Sequence, residues 1–355
     1  MAAAIYAARA GLAPLVIAPS MGGQLQGKGV DVENYPGLSN QTGPALVAAM
    51  RHQAAHYGAM FEDDIVTAVD ATERPYKVLT NRTGIIQTHT IIVATGADAN
   101  WLQIPGEFEL RGGGVSSCAT CDGFLYSGKD VVVVGGGDGA MEEALVLART
   151  SRKVTVIHRR DSFRASKVLA DRVLAHPSIN VLWNTTVHEV IGKTPDAPTE
   201  DNVDLDSLQP VVTAVLIRDL NTGEQRKLTC DAMFVSIGHT PNTNYLKDVV
   251  EFDPNHPGYV LTFGGSTQTS APGIFAAGDV ADSVYRQAIT SAGSGAAAAL
   301  DAERYLSEHG LGNEAADLEA ELMAELMSDD TTSSSSASYN VYEDAGGRVG
   351  VKESL

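Results

Sequence analysis

Four consecutive valines running into three glycines, Val131-Val132-Val133-Val134-Gly135-Gly136-Gly137-Asp138-Gly139-Ala140, constrain the fold of this chain more than any other feature. A continuous apolar run is what a central parallel strand buried on both faces requires. The small residues after it permit a tight turn into the helical Met141-Glu142-Glu143-Ala144-Leu145. Strand, Gly-x-Gly-x-x-Ala turn and helix in that order bring backbone N–H groups to a pyrophosphate at a helix N-terminus. Gly135, Gly137 and Ala140 are therefore expected to contact a dinucleotide.

About 20 residues further on, an NAD site places an acidic residue for the ribose hydroxyls. Here the strand Val154-Thr155-Val156-Ile157 ends instead in His158-Arg159-Arg160, with Arg164 following. Such a cluster can neutralise a 2′-phosphate through charge-assisted, bidentate bonds, so the expected nucleotide is NADPH. The competing reading is a solvated basic edge.

Just upstream of this unit lies Cys118-Ala119-Thr120-Cys121-Asp122-Gly123. Two thiols separated by two residues can close a small disulfide, and a helix start or positive neighbourhood makes one of them a thiolate. Asp122 directly follows and is placed to trade protons with a leaving thiolate. Half of a zinc site is an alternative, but it needs two more ligands, and Cys230 has no cysteine or histidine at finger-like spacing. A buried inert pair is the third reading.

Three cysteines among 355 residues are too few for a secreted disulfide scaffold, so a reducing compartment is the default expectation. A net charge of −19 argues against nucleic acid as a partner, because phosphate-backbone binding depends on clustered Lys and Arg. No apolar run approaches a membrane span, and no signal segment opens the chain.

The rest of the chain reads as a second α/β unit split by the first. Residues 2–10 form an alanine-rich helix, and Leu15-Val16-Ile17-Ala18 reads as a buried parallel strand. Thr90-Ile91-Ile92-Val93-Ala94-Thr95-Gly96-Ala97 is a strand entering a small-residue turn. Residues 105–114 look like a flexible crossing between domains, and residues 238–242 like the return crossing. Gly273-Ile274-Phe275-Ala276-Ala277-Gly278-Asp279 is a strand ending on Gly-Asp, followed by another alanine-rich helix over residues 287–306. An acidic, proline-containing insertion over residues 193–209 reads as a surface loop. Beyond Gly312, Leu318, Leu322 and Leu326 recur at helical spacing, residues 328–338 are a serine-rich linker, and residues 339–355 show no clear period.

Cys118-Ala119-Thr120-Cys121-Asp122-Gly123, the glycines at 135–137, His158-Arg159-Arg160-Asp161-x-Phe163-Arg164-Ala165, Gly238-His239-x-Pro241-Asn242-Thr243, and Gly278-Asp279-Val280 through Tyr285-Arg286-Gln287-Ala288 together resemble low-molecular-weight thioredoxin reductases, in order and with few gaps. The resemblance implies an α/β fold of two Rossmann-like three-layer domains, the NADPH domain inserted into the FAD domain. Residues 1–108 and 237–312 would form the FAD domain, residues 109–236 the NADPH domain carrying the CxxC, and residues 313–355 an acidic helix and serine-rich tail. It implies a homodimeric, cytoplasmic flavoenzyme that uses NADPH to reduce the disulfide of thioredoxin. By that likeness Cys121 faces the flavin, Cys118 attacks thioredoxin and Asp122 is the acid. Gly23, Gln24, Leu25, Asn34, Thr95, Gly96, Gly278, Asp279, Arg286, Gln287 and Ala288 would line the FAD.

Members of that family begin with a strand and a Gly-x-Gly-x-x-Gly turn that grips the FAD pyrophosphate, whereas this sequence starts inside the helix that follows. The FAD domain is therefore read as N-terminally incomplete, with weak flavin binding expected and any organelle-targeting segment hidden. Two other functions stay open from sequence: reduction of a different small disulfide protein, and a flavin-deficient NADPH-binding module.

Overall fold

The computed structural model describes residues 1–27, 30–38, 41–193, 210–311, 340–343 and 349–352. The insertion after Lys193 and the leucine-periodic and serine-rich stretches of the tail lie outside the described residues. The chain divides into two compact units, residues 1–305 and 306–355.

The chain opens with α1 (Ala2–Arg9), β1 (Leu15–Ile17), β2 (Asp31–Val32), β3 (Gln41–Thr42), α2 (Gly43–His56), β4 (Met60–Glu62), β5 (Val66–Asp70), β6 (Tyr76–Thr80), β7 (Ile85–Thr88), β8 (Ile91–Val93) and β9 (Ala97–Ala99). It continues with β10 (Val115–Ser116), α3 (Ala119–Asp122), β11 (Asp130–Gly135), α4 (Asp138–Leu147), β12 (Lys153–Ile157), α5 (Lys167–Ala175), β13 (Ile179–Leu182), β14 (Thr185–Lys193), β15 (Val211–Asp219), β16 (Gln225–Thr229) and β17 (Ala232–Ser236). Next come β18 (His239–Pro241), β19 (Ile274–Ala276) and α6 (Ala288–Glu308), and within the second unit β20 (Asn340–Glu343) pairs antiparallel with β21 (Val349–Lys352).

The valine run does form the centre of a five-stranded parallel sheet, ordered β10-β17-β11-β12-β13. Alternation along its strands divides the core in two. Val132, Val134, Ile157, Met233 and Val235 face Val187, Val190, Val212, Val215 and Ile217 of the antiparallel sheet β14-β15-β16. Val131, Val133, Val154, Val156 and Phe234 face Ala140, Met141, Ala144 and Leu147 of α4 and Val173 of α5. Each fully buried valine, leucine, isoleucine, methionine or phenylalanine here contributes about 1.5–3 kcal/mol relative to exposure.

Insertion of one domain into another is visible in the pairing. β8 lies before the parallel sheet in sequence and β19 after it, yet they pair in parallel register, Ile91 with Ile274 and Val93 with Ala276. The two connections also pair with each other. β9 runs antiparallel to β18, with Ala97 opposite Pro241 and Ala99 opposite His239. Asn100 N–H donates to Gly238 O at 3.0 Å, and Thr240 Oγ1 donates to Asn100 Oδ1 at 2.9 Å.

Two local expectations are corrected. Leu15–Ile17 does pair in parallel with Met60–Glu62, but the pair is covered on one face only, where Val16 and Phe61 meet Ala4, Ile5, Ala8, Ala54 and Ala59. Leu15 and Met60 point the other way and are exposed. Nor is the segment 105–114 a loose crossing. Buried Glu107 accepts the Leu102 and Gln103 N–H groups at 2.9 and 2.7 Å, and a Cβ on Gly106 or Gly113 would collide with the carbonyls of Val190 or Pro210. Its glycines serve close backbone approach rather than mobility.

Candidate active site

Cys118 is the N-cap of α3, and its Sγ accepts the Cys121 N–H at 3.2 Å. The CxxC turn brings the Cα atoms of Cys118 and Cys121 to 5.3 Å, and the sulfurs are bonded as a disulfide. Ser116, at the end of edge strand β10, organises the flank of this pair. Its Oγ accepts the Cys118 N–H at 3.1 Å and donates to Asp122 Oδ2 at 2.5 Å. Among the described residues no group of three or more His, Cys, Asp or Glu is placed to hold a metal. Cys230 is buried in the sheet core, where burial pushes its thiol up to about 12 and leaves it unreactive.

Gly137 caps α4 without a side-chain bond, so the first N–H groups of that helix remain for a ligand. A Cβ on Gly135 would meet Ser236 O and Ala140 Cβ, and one on Gly136 would enter the His158 ring, whereas Gly137 faces open space. The turn is thus pinned from below and open above. His158 is the pin: it is buried, its Nε2 lies 3.0 Å from Ser162 O, and its ring meets those of Phe163 and Trp183. Burial lowers its pKa and favours the neutral ring. Arg159, Arg160 and Arg164 are exposed beside the turn. Open N–H groups, a flat glycine surface and three free-standing cations fit a phosphorylated dinucleotide.

The other side of the site comes from the interrupted domain. Gln24 Nε2 donates to Ala97 O at 2.5 Å, and Asn34 Nδ2 to Gln287 Oε1 at 3.1 Å. Thr95 Oγ1 donates to Asn242 O at 2.7 Å. Gly96 and Gly278 adopt φ of +69° and +76°, a region that favours glycine, and the Gly278 N–H is held by Ser294 Oγ. Burial raises the pKa of Asp279, whose Oδ1 accepts the Ser291 hydroxyl at 2.9 Å. Leu25 and Gly23 border the same space, and Arg286, held left-handed at φ +49°, leads through Gln287 into Ala288 at the start of α6. Polar side chains tied to backbone around an open glycine floor fit the ribityl and adenosine polar groups of a flavin dinucleotide.

The cysteine pair, the glycine turn with its arginine cluster and the flavin-side residues expected from sequence line one cavity of about 1840 Å³. That exceeds the roughly 300–1,000 Å³ of a single small-molecule pocket. Cys118, Cys121 and Asp122 border it together with Gly135, Gly137, Ala140, His158, Arg159, Arg160 and Arg164 and with every flavin-side residue expected from sequence. Three residues that sequence reasoning did not single out also belong to the site: Ser116, Ser236 and Glu143. Only Glu143 sits in a recognisable motif, and a helical Glu after a glycine turn reads as solvent-facing.

The fold and site define a disulfide oxidoreductase built on two dinucleotide-binding domains. Residues 1–295 match the family described as pyridine nucleotide-disulphide oxidoreductase. A thioredoxin reductase of Rickettsia felis is 45% identical over 310 residues, covering 87% of this chain and 95% of the relative. Among solved structures, the thioredoxin reductase from Giardia duodenalis superposes with a TM-score of 0.78 at 38% identity, covering 86% of this chain and 94% of the other. That of Streptococcus pyogenes MGAS5005 gives 0.77 at 35% identity, with the same two coverages. The chain belongs to the pyridine nucleotide-disulphide oxidoreductases and, within them, to the low-molecular-weight thioredoxin reductases. FAD and NADPH are the cofactors of that family.

Proposed function

We propose that this protein uses NADPH to reduce the disulfide of thioredoxin through Cys118 and Cys121. The observation that carries the reading is that the disulfide, the glycine turn of α4 and the polar residues of the interrupted domain border one cavity. Bound there, FAD supplies two-electron relay between a nicotinamide and a disulfide. The chain's own residues do the rest.

Arg159, Arg160 and Arg164 pair with the 2′-phosphate, and the α4 N-terminus takes the pyrophosphate. His158 acts beneath them by holding the turn in place. Gln24, Asn34, Thr95, Asp279 and Gln287 orient the flavin, with Gly23, Leu25, Gly96, Gly278, Arg286 and Ala288 shaping its bed. Once the pair is reduced, the Cys118 thiolate attacks one sulfur of the thioredoxin disulfide, and the departing thiolate takes a proton from Asp122. The Cys121 thiolate then attacks Cys118 Sγ. The Asp122 carboxylate, having taken the Cys121 proton, passes it to the second thioredoxin sulfur as that thiolate leaves and the Cys118–Cys121 bond closes. Two electrons and two protons have moved to thioredoxin.

Phe124 and Leu125, directly after the CxxC, are exposed, which gives a protein partner apolar surface beside the sulfurs. The domain division is read as residues 1–108 and 237–312 for FAD and 109–236 for NADPH, with residues 313–355 as an appendage. We read the protein as a homodimer of the cytoplasm, from the family resemblance of its motifs and from its few cysteines; among the described residues no helix is long and apolar enough to cross a membrane.

The test is NADPH oxidation by the purified chain, supplied with FAD and oxidised thioredoxin. Cys118→Ser should abolish thioredoxin reduction while leaving NADPH-to-flavin transfer. Loss of both, or turnover without thioredoxin, overturns the assignment.

A further inference from the structure

Residues 158–166 join β12 to α5 and carry Arg159, Arg160 and Arg164. This loop is fastened to the glycine turn at three points. The His158 ring lies against Gly136 and leaves no room for a Cβ there. The Arg164 N–H donates to Gly136 O at 2.8 Å. Two residues further on, the Ser166 N–H donates to Asp138 Oδ1 at 2.6 Å. The first two ties use the backbone of the turn and a buried ring, whereas the third uses an exposed side chain at the first position of α4. Ser166 is the N-cap of α5 at φ −55°, so its N–H takes no part in that helix's own bonds. Asp138 thus holds the far end of the arginine loop, two residues beyond Arg164, and itself borders the cavity.

A carboxylate at this place acts in two opposed ways. Its charge stands at the N-terminus of α4, where a nucleotide phosphate is taken, and weakens every anion bound there. Its oxygen, by accepting the Ser166 N–H, keeps the chain that carries Arg164 against the glycine turn. The first effect falls on any nucleotide, the second only on one that offers a 2′-phosphate to the arginines. We propose that Asp138 is a positioning residue for nucleotide choice: through Ser166 it holds the arginine loop on the glycine turn and so raises the preference for a 2′-phosphorylated nucleotide. The proposal rests on the reading of Arg159, Arg160 and Arg164 as the 2′-phosphate site.

The test titrates the full chain calorimetrically with 2′,5′-ADP and, by competition against it, with 5′-AMP, which differ only in the 2′-phosphate. The parent should bind 2′,5′-ADP at least about tenfold tighter, as a charged hydrogen bond allows. Asp138→Ala removes charge and acceptor together. It should tighten 5′-AMP by about two- to fivefold and lower the ratio of the two affinities by roughly three- to tenfold. Asp138→Asn removes the charge and keeps an acceptor, so 5′-AMP should tighten alike while the ratio stays within about twofold of the parent's. Ser166→Pro keeps the charge and removes the donor, at a φ that proline adopts, so the ratio should fall with 5′-AMP unchanged. A ratio unmoved in either Asp138→Ala or Ser166→Pro overturns the proposal, and where one of them does not fold the other decides. A ratio that Asp138→Asn lowers as far as Asp138→Ala also overturns it, since the charge and not the bond would then be the cause. A parent that binds both ligands alike overturns the 2′-phosphate reading itself, and the proposal with it. A parent that prefers 2′,5′-ADP beside variants that prefer it equally overturns the proposal alone.

Discussion

The Ser116 hydroxyl donates to Asp122 Oδ2 at 2.5 Å while its oxygen takes the Cys118 N–H, so one side chain orients the acid and one of the sulfurs. Asp122→Asn keeps the shape and removes the exchangeable proton. Stopped-flow measurement should show dithiol-to-thioredoxin exchange slowed by about 10²-fold, the low end of general acid catalysis, with flavin reduction unchanged. Ser116→Ala should show a smaller loss in the same step.

A methyl group at Gly136 has no room, because the His158 ring it meets is fixed by Ser162, Phe163 and Trp183. Gly136→Ala is expected to lower stability by about 1–3 kcal/mol, as overpacking does, and to raise KM for NADPH. Urea unfolding and steady-state kinetics read the two effects.

The exposed arginines beside the turn should decide between nucleotides. Arg159→Ala and Arg160→Ala are each expected to raise KM for NADPH by about tenfold and leave KM for NADH within twofold, since a charged hydrogen bond is worth about 1.5–3 kcal/mol. Equal effects on both nucleotides would make these residues a solvated edge.

His239 stands on the ribbon formed by β9 and β18, where burial, with help from the Arg286 charge, lowers its pKa to about 4. An unfolded histidine titrates near 6.5. The unfolded chain therefore takes up this proton at a higher pH than the folded one. The neutral ring's contribution to stability is fully present above about pH 6.5 and is lost as pH falls through about 4. His239→Gln should lose less in urea midpoint between pH 7 and pH 4.5 than the parent does.

Much of this was legible because the chemistry is local. A CxxC, a glycine turn after four valines and an arginine cluster at the next strand end each carry meaning over a few residues. Ser116 and Ser236 were not legible because their roles arise only when β10, β17 and α4 meet. The segment 105–114 misled for the opposite reason: its glycines signal a loop, but Gly106 and Gly113 are glycines because Val190 and Pro210 leave no space for a Cβ. Leu15 read as buried from composition alone, which does not say that only one face of the β1–β4 pair is covered.

The β9–β18 ribbon gives the molecule a mechanical character. Two strands stitched by backbone bonds, and again by Thr240 to Asn100, tie both crossings to and from the parallel sheet into one connector. The cysteine pair and the nucleotide turn hang from the same parallel sheet beyond that connector, so any displacement of the sheet carries both together.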